Sequence, residues 1–448
     1  MAVCVQPVLR ICQTNWGHVE GEDCMRIGLT NIARVEYADI TLNGITVVAG
    51  ANGSGKSTIS KSLYAALEVF HNPQQQVQQE KRRSRFNVIR NWAYHSACIE
   101  PLDIRSIERR VQQELERSGK DAAIFVEGMY RFLNDHASLR IQNEKMLTQE
   151  LEQLFYQCME IDQKEDFYFI QYFAQTLLDN IFQKQMNCLR GDREGRIELE
   201  HLHTAGAVRM TDNKVVDIQQ KTFRTTAPFP VYITTSDLVD FAGSYRTLYS
   251  SEKYGAISYV NAQLTKLLME EMQTRRLVAE QYHLLEEQKQ LFEQLFDSVL
   301  EGEMYLEDRQ LVYHDKWCNA NIELRNIASG MKPFLILRRL LSNGVFLREN
   351  CLIIDEPETN LHPEWQLKLA HLLVLMSMKL GIGVYLNSHS PYFVRAMEYY
   401  ASQYHVLNQC KFYCMVKNDR TGLFYSEDVT AHLGRIYDSL AQPFNQIM

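Results

Sequence analysis

The chain has 448 residues and a formal net charge of -8, with 46% hydrophobic and 23% charged residues. That length and apolar content suit a globular protein of two or three domain-sized units. The acidic balance argues against a surface that is basic all over, as dedicated DNA binders carry, but leaves room for a local basic groove.

The ten cysteines form no C-x-x-C pair and none stands with histidine at zinc spacing, so they read as buried or free thiols. The first 30 residues carry Glu20, Glu22 and Asp23 and no apolar run of the signal-peptide kind. No stretch reaches the roughly 18 apolar residues a membrane helix needs. The expectation is a soluble, cytoplasmic protein without membrane contact.

In chain order, residues 26–49 read as two strands, a mixed one over 26–40 and a β-rich one over 44–49. Residues 57–70 read as a helix with Ile59, Leu63, Leu67 and Phe70 at apolar spacing. Between them stands Gly50-Ala51-Asn52-Gly53-Ser54-Gly55-Lys56-Ser57-Thr58, which matches G-x-x-x-x-G-K-[ST]. In such a loop backbone N–H groups point inward to hold phosphates, and the next helix offers its positive end. Lys56 then reaches the β- and γ-phosphates and the Ser57 hydroxyl binds Mg²⁺. A plain glycine turn is the bland alternative; the strand and helix flanks set it aside.

Residues 72–190 are polar with helical periodicity, glutamine-rich over 74–79 and basic at Lys81, Arg82, Arg83 and Arg85. That basic run is either a solvated face or a contact for nucleic acid or a partner protein. Residues 194–234 turn to β character, with Thr211-Asp212-Asn213 as a turn signal. Residues 256–302 carry the longest helical pattern and read as an antiparallel helical arm. From 303 onward come a hairpin-like run, a helix, a strand, a helix and a final strand, with no internal repeat.

Three further motifs bear on chemistry. Ser329 and Gly330 stand before an apolar helix carrying Phe334, Leu335, Leu337, Leu340 and Leu341; alone, this is a common cap. Cys351-Leu352-Ile353-Ile354-Asp355-Glu356 is an apolar strand that delivers two carboxylates to its carboxyl end, where α/β sheets bind ligands. Asp355 suits Mg²⁺ through water, and Glu356 suits orienting and polarising an attacking water. A helix over 363–380 follows, with Pro363 first and Gly381 just past its end. A buried strand over 383–387 then leads to Asn387-Ser388-His389-Ser390, which places His389 beside the same edge as a catalytic or γ-phosphate-sensing group.

This order of motifs resembles the ABC-type ATPase heads of the SMC, RecF and OLD-like lineage. Asp355-Glu356-Pro357-Glu358-Thr359-Asn360-Leu361-His362-Pro363 is similar to the Walker B and D-loop segment of that lineage's stand-alone ATPases, and Asn387-Ser388-His389-Ser390-Pro391 to their His switch. The resemblance covers residues 26–70 and 303–448. It implies an α/β fold: a P-loop ABC-type head with a mostly parallel core sheet, an antiparallel β subdomain and a helical insert. The expected division is 1–95 for the first part of the head, 96–302 for a mainly helical insert with a β segment near 194–235, and 303–448 for the second part.

The resemblance further implies ATP and Mg²⁺ as cofactors and a homodimer or higher homo-oligomer. In it Ser329 and Gly330 contact the γ-phosphate held by the other subunit's Lys56 loop, and Asn360 lies at the seam. The usual Leu-Ser-Gly-Gly-Gln signature is altered, with Ala328 in place of its serine and Ser329 in place of its first glycine. No residue matches the lobe-linking glutamine or the adenine contact. The acids of a Toprim nuclease have no counterpart, since Asp419 and Asp428 lack the D-x-D spacing. The leading expectation is therefore an ATP-driven dimerising switch that regulates a partner effector encoded nearby, such as a nuclease, in bacterial anti-phage defence. The alternatives are a RecF-like repair ATPase acting directly on DNA and the ATPase subunit of a transporter.

Overall fold

The computed structural model describes residues 24–96, 104–136, 144–187, 194–201, 204–220, 227–234, 259–269, 286–308, 310–346 and 350–441. The middle of the expected helical arm, 270–285, lies outside them, as do Cys4, Cys12, Cys98 and Cys188. The chain divides into two compact units, one of Met1–His71 with Gln175–Met448 and one of Asn72–Ala174.

The larger unit is built on an 11-stranded sheet. Its strands are β1 (Met25–Ile32), β2 (Val35–Leu42), β3 (Ile45–Ala49), β4 (Glu194–His201), β5 (Thr204–Thr211), β6 (Lys214–Gln220), β7 (Phe229–Ile233), β11 (Asn350–Asp355), β12 (Gly383–Ser388), β13 (Cys410–Lys417) and β14 (Phe424–Asp428). The order is β6-β5-β4-β1-β2-β14-β13-β3-β12-β11-β7. From β13 to β7 every pairing is parallel. Strands β3, β11 and β12 are buried along almost their whole length, as strands covered on both faces must be. A separate three-stranded sheet holds β8 (Gly302–Glu307), β9 (Gln310–Asp315) and β10 (Ala320–Glu323).

The chain is thus mixed α/β, as expected. The antiparallel strands β4, β5 and β6 continue the core sheet through β1. The stretch 26–40 is not one strand but a hairpin of β1 and β2. The chain reverses there because Asn31 (φ 54°) and Ala33 (φ 48°) take left-handed backbone angles. The strand expected over 383–387 is β12, and past His389 the chain adds the helix Pro391–Gln403, the strands β13 and β14 and the short helix Gly434–Ala441.

Helix α1 (Lys56–His71) packs on β7, β11 and β12. The opposite face of the sheet presents Val47 of β3, Leu352 and Ile354 of β11, and Val384 and Leu386 of β12 to one large apolar cluster. That cluster takes in the apolar sides of the helices Lys332–Ser342, Pro363–Leu380 and Pro391–Gln403. The helix Pro363–Leu380 has the bounds its caps dictate. His362 accepts from the Glu364 amide, Pro363 stands at the first turn, and Gly381 closes the far end at φ 64°.

The smaller unit is a helical bundle of α2 (Pro73–His95), α3 (Ile104–Ser118), α4 (Ala122–His136) and α5 (Glu144–Gln163), with the first part of α6 (Asp166–Phe182). Ile89, Ile107, Val111, Phe125, Met129, Leu133, Leu151, Leu154 and Phe155 form its core. Among the described residues no helix is long and apolar enough to cross a membrane.

Candidate P-loop site

Between β3 and α1 the chain bends through Gly50–Gly55. Gly53 (φ 74°) and Gly55 (φ 92°) hold angles that a side chain would strain. A Cβ on Gly55 would also lie 2.8 Å from Val35 Cγ2, and one on Gly50 2.8 Å from Ser54 Oγ. These glycines therefore shape a tight loop whose crest, Ala51, Asn52 and Gly53, is exposed. Lys56 turns back across it. Its ammonium donates to the carbonyls of Gly50 at 2.8 Å and Ala51 at 3.0 Å. It is 5% exposed, and no carboxylate lies within ion-pair distance among the described residues. Burial lowers its pKa, opposed by the fields of Glu356, Glu358 and Asp355. Ser57 and Thr58 open α1 immediately after it.

Asp355 ends β11, one parallel strand from β12, with Asn387 as its register partner. Ser60 Oγ at 2.7 Å and Asn387 Nδ2 at 2.6 Å donate to its Oδ1, and Tyr232 OH donates to Oδ2 at 2.7 Å. Tyr385 donates in turn to Asn387 Oδ1 at 3.0 Å. Burial raises the Asp355 pKa, while hydrogen bonds from Ser60, Tyr232, Asn387 and Ser57 hold it down. Burial beside this carboxylate also keeps Tyr232 and Tyr385 protonated, far above the usual phenol range. Ser57, the other residue expected to hold Mg²⁺, lies in the first turn of α1 near this carboxylate.

Glu356 stands just beyond the strand at φ 47°, a left-handed angle costing a side-chain-bearing residue about 1–2 kcal/mol. Its amide donates to Asn387 O at 2.9 Å, which fixes the turn against β12. The side chain stays 39% exposed, enough to meet a water. His389 follows β12, with Nδ1 3.6 Å from Glu356 Oε1 and 3.4 Å from Glu358 Oε1. The structure therefore brings Lys56, Ser57, Asp355, Glu356 and His389 to the carboxyl ends of three adjacent parallel strands.

Ser329, Gly330 and Asn360 gather separately. Ser329–Met331 is a 3₁₀ turn leading into the helix Lys332–Ser342. Gly330 is buried against the segment that follows Glu356, where a Cβ would lie 3.0 Å from Asn360 O and 3.1 Å from the Trp365 ring. Asn360 is exposed at φ 62°. Among the described residues no hydrogen bond or ion pair links this group to Lys56 or Asp355.

Sequence reasoning missed Ser60, Tyr232 and Glu358. Ser60 carried a usable signal, since it lies one helical turn beyond Lys56 on the same face. Tyr232, a hydroxyl within an apolar strand, carried only a faint one. The basic run on α2 is largely neutralised within its own bundle. Lys81 pairs with Asp166 at 2.8 Å, Arg85 with Asp162 at 3.5 Å and Arg83 with Glu80 at 3.7 Å.

A parallel α/β sheet with a glycine loop feeding a helix, and an acid-ended strand beside it, defines a P-loop ATPase fold. Residues 25–394, more than four-fifths of the chain, match the protein family described as AAA ATPase domain, and the chain belongs to that family. No curated protein sequence matches it. Among solved structures it is similar to the SMC head domain from Thermotoga maritima, at 11% identity and a TM-score of 0.36, over 91% of this chain and 99% of that one. It is also similar to an Smc head bound to the C-winged helix domain of ScpA, at 10% identity and a TM-score of 0.40, over 92% and 99%. A third is an Smc head domain with an extended coiled coil, bound to the C-terminal domain of ScpA derived from Pyrococcus furiosus, at 9% identity and 0.40, over 95% and 99%.

Proposed function

We propose that the chain binds ATP with Mg²⁺, hydrolyses it, and uses the cycle to close and open a dimer of two copies. The observation that carries this is the meeting of Lys56, Asp355, Glu356 and His389 at one sheet edge. The residues fit both groups. An ammonium that is buried and, among the described residues, held by two carbonyls suits a phosphate, and the glycine loop leaves room that a Cβ would fill. Ser57 and Asp355 are hard oxygen donors, which suits Mg²⁺ bound by one or two protein groups plus phosphates. Among the described residues there is no cluster of three His, Cys, Asp or Glu that could hold a metal.

In this reading residues 50–58 hold the phosphates, with Lys56 on the β- and γ-phosphates. Ser57 and Asp355 hold Mg²⁺, which when bound neutralises charge on the phosphate oxygens. Glu356 takes the proton of the attacking water as the water oxygen bonds to the γ-phosphorus and the bond from that phosphorus to the β,γ-bridging oxygen breaks, ADP leaving with the bonding pair; His389 meets the γ-phosphate. Ser329, Gly330 and Asn360 act on the nucleotide of the other copy. Their separation from Lys56 within the chain supports that assignment.

The helical unit then passes the dimer's state to a partner effector, for which a nuclease is the leading candidate. The setting is bacterial cytoplasm and anti-phage defence; support comes from the likeness of residues 355–363 and 387–391 to stand-alone ATPases of such systems. Direct action on DNA is the weaker reading, since Lys81, Arg83 and Arg85 already pair with carboxylates. Phosphate release from ATP by purified protein tests the core of the proposal. Hydrolysis should require Mg²⁺ and vanish in Lys56→Ala, and a Lys56→Ala chain with unchanged affinity and turnover would overturn it.

A further inference from the structure

Three donors converge on one oxygen of Glu358. Its Oε1 accepts from Ser388 Oγ at 2.7 Å, from the His389 amide at 2.9 Å and from the Ser390 amide at 3.1 Å. The residue is 4% exposed. Its other oxygen, Oε2, is buried with no hydrogen-bond partner among the described residues. A carboxylate withdrawn from water this far is costly, and a half-satisfied one more so. Something at this position makes use of it.

The His389 ring supplies the use. Its Nδ1 lies 3.4 Å from Glu358 Oε1 and makes no hydrogen bond among the described residues. The gap is too long for a good hydrogen bond, so among the described residues Nδ1 is left without a partner beside a carboxylate whose second oxygen, Oε2, also lacks one. With Nδ1–H turned onto this carboxylate, Nε2 would be the nitrogen free for a ligand. Glu358 also belongs to the turn that carries Glu356 two residues earlier. The Leu361 amide donates to Glu358 O at 3.1 Å and the Thr359 amide to Glu356 O at 3.0 Å, so that turn is braced from within.

We propose that Glu358 is a positioning residue: its Oε1 ties the His389 loop to the Glu356 turn, and its carboxylate receives Nδ1–H, so that the imidazole and the Glu356 base are held as one unit. The proposal rests on the ATPase reading above. Only a carboxylate does both tasks. Glutamine keeps an accepting oxygen for the three donors but replaces the second oxygen with N–H₂. Alanine removes both.

The test pairs hydrogen–deuterium exchange over residues 388–391 with steady-state ATP hydrolysis and ATP affinity, in the full-length chain. Glu358→Ala should speed exchange of the His389 and Ser390 amides about tenfold or more, leave the rest of the head protected, and lower kcat about 10–100-fold at unchanged ATP affinity. Glu358→Gln should keep exchange near wild type, with kcat between the two. Unchanged exchange in Glu358→Ala removes the tether, and wild-type kcat in Glu358→Gln removes the carboxylate's role. Lost protection throughout the head, or lost ATP affinity, in Glu358→Gln makes the residue merely structural and overturns the proposal. Should Glu358→Ala not fold, Glu358→Gln alone decides by the same criteria. A wild-type chain that releases no phosphate refutes the ATPase reading instead, while the exchange data still decide whether Glu358 tethers the loop.

Discussion

The hydroxyl of Tyr232 donates to Oδ2 of Asp355 across 2.7 Å, joining two strands whose residues stand 123 positions apart in the chain. Ser60 and Asn387 satisfy the other oxygen. This carboxylate is thus buried yet bonded at both oxygens, each donor offsetting part of the desolvation that raises its pKa.

Tyr232→Phe removes one donor and leaves the ring. Oδ2 then loses its bond inside the protein, a loss of about 1–3 kcal/mol. We expect a lower denaturant midpoint and slower Mg²⁺-dependent ATP hydrolysis, with both effects smaller in Tyr385→Phe, whose hydroxyl reaches Asp355 only through Asn387. Equal stability in Tyr232→Phe and the native chain would show that water replaces the phenol at no cost.

Glu356→Gln keeps the shape of the turn and removes the proposed base. ATP binding should persist, while turnover falls about 10²–10⁴-fold. Because the nucleotide is then trapped, ATP with Mg²⁺ should shift the variant to the dimer in light scattering. Normal turnover would move the base elsewhere, with His389 the first to test.

The parts of the site that could be read in advance are those whose chemistry dictates residue type over a short window. Residues 50–58 and Asp355-Glu356 are of this kind. The bounds Pro363–Leu380 were readable because Pro363 and Gly381 are local signals that no distant contact overrides. The reversal at Ala33 was not, because alanine carries no turn chemistry and its left-handed angle is imposed by the strands it joins. Tyr232 and Glu358 escaped notice because their roles come from sheet register and loop packing. The periodicity of 194–220 shows strands, but their continuation of the core sheet through β1 is a matter of strand order, which no local pattern encodes.

Glu68 gives the protein a pH signature. It lies within α1 at 5% exposure, and burial lifts its carboxyl from 4.5 to about 7. The folded chain therefore keeps a proton that the unfolded chain releases as pH rises from about 4.5 to about 7. This contribution to stability is whole at low pH and declines through that window. Glu68→Gln cannot ionise and should lose the decline, gaining up to about 3 kcal/mol over the native chain above pH 7 and nothing below pH 4.5. Urea midpoints at pH 5 and pH 8 measure the difference. A gain that is the same at both would trace to packing and not to the proton.

The composite site makes the sharpest demand. Gly330 is wedged against Asn360 O and Trp365, so the 3₁₀ turn of Ser329 packs on the segment of Asn360, and among the described residues no hydrogen bond or ion pair ties that pair to the chain's own Lys56. If that pair completes the partner's site, Ser329→Glu should leave ATP binding by one chain intact, yet set a carboxylate against the incoming phosphate and block closure. Lys56→Ala disables the other half. Neither variant alone should hydrolyse ATP. Mixed, they can form a dimer in which one site has a native Lys56 loop facing a native Ser329, while the second site carries both lesions. Partial recovery of phosphate release, highest near equal amounts, is the expected result. If mixed dimers form and every ratio stays inactive, either the trans assignment is wrong or both sites must fire together. Mixing the Ser329→Glu chain with native protein separates these: a single crippled site should halve activity in the first case and abolish it in the second. A fully active Ser329→Glu chain would reject the composite site altogether.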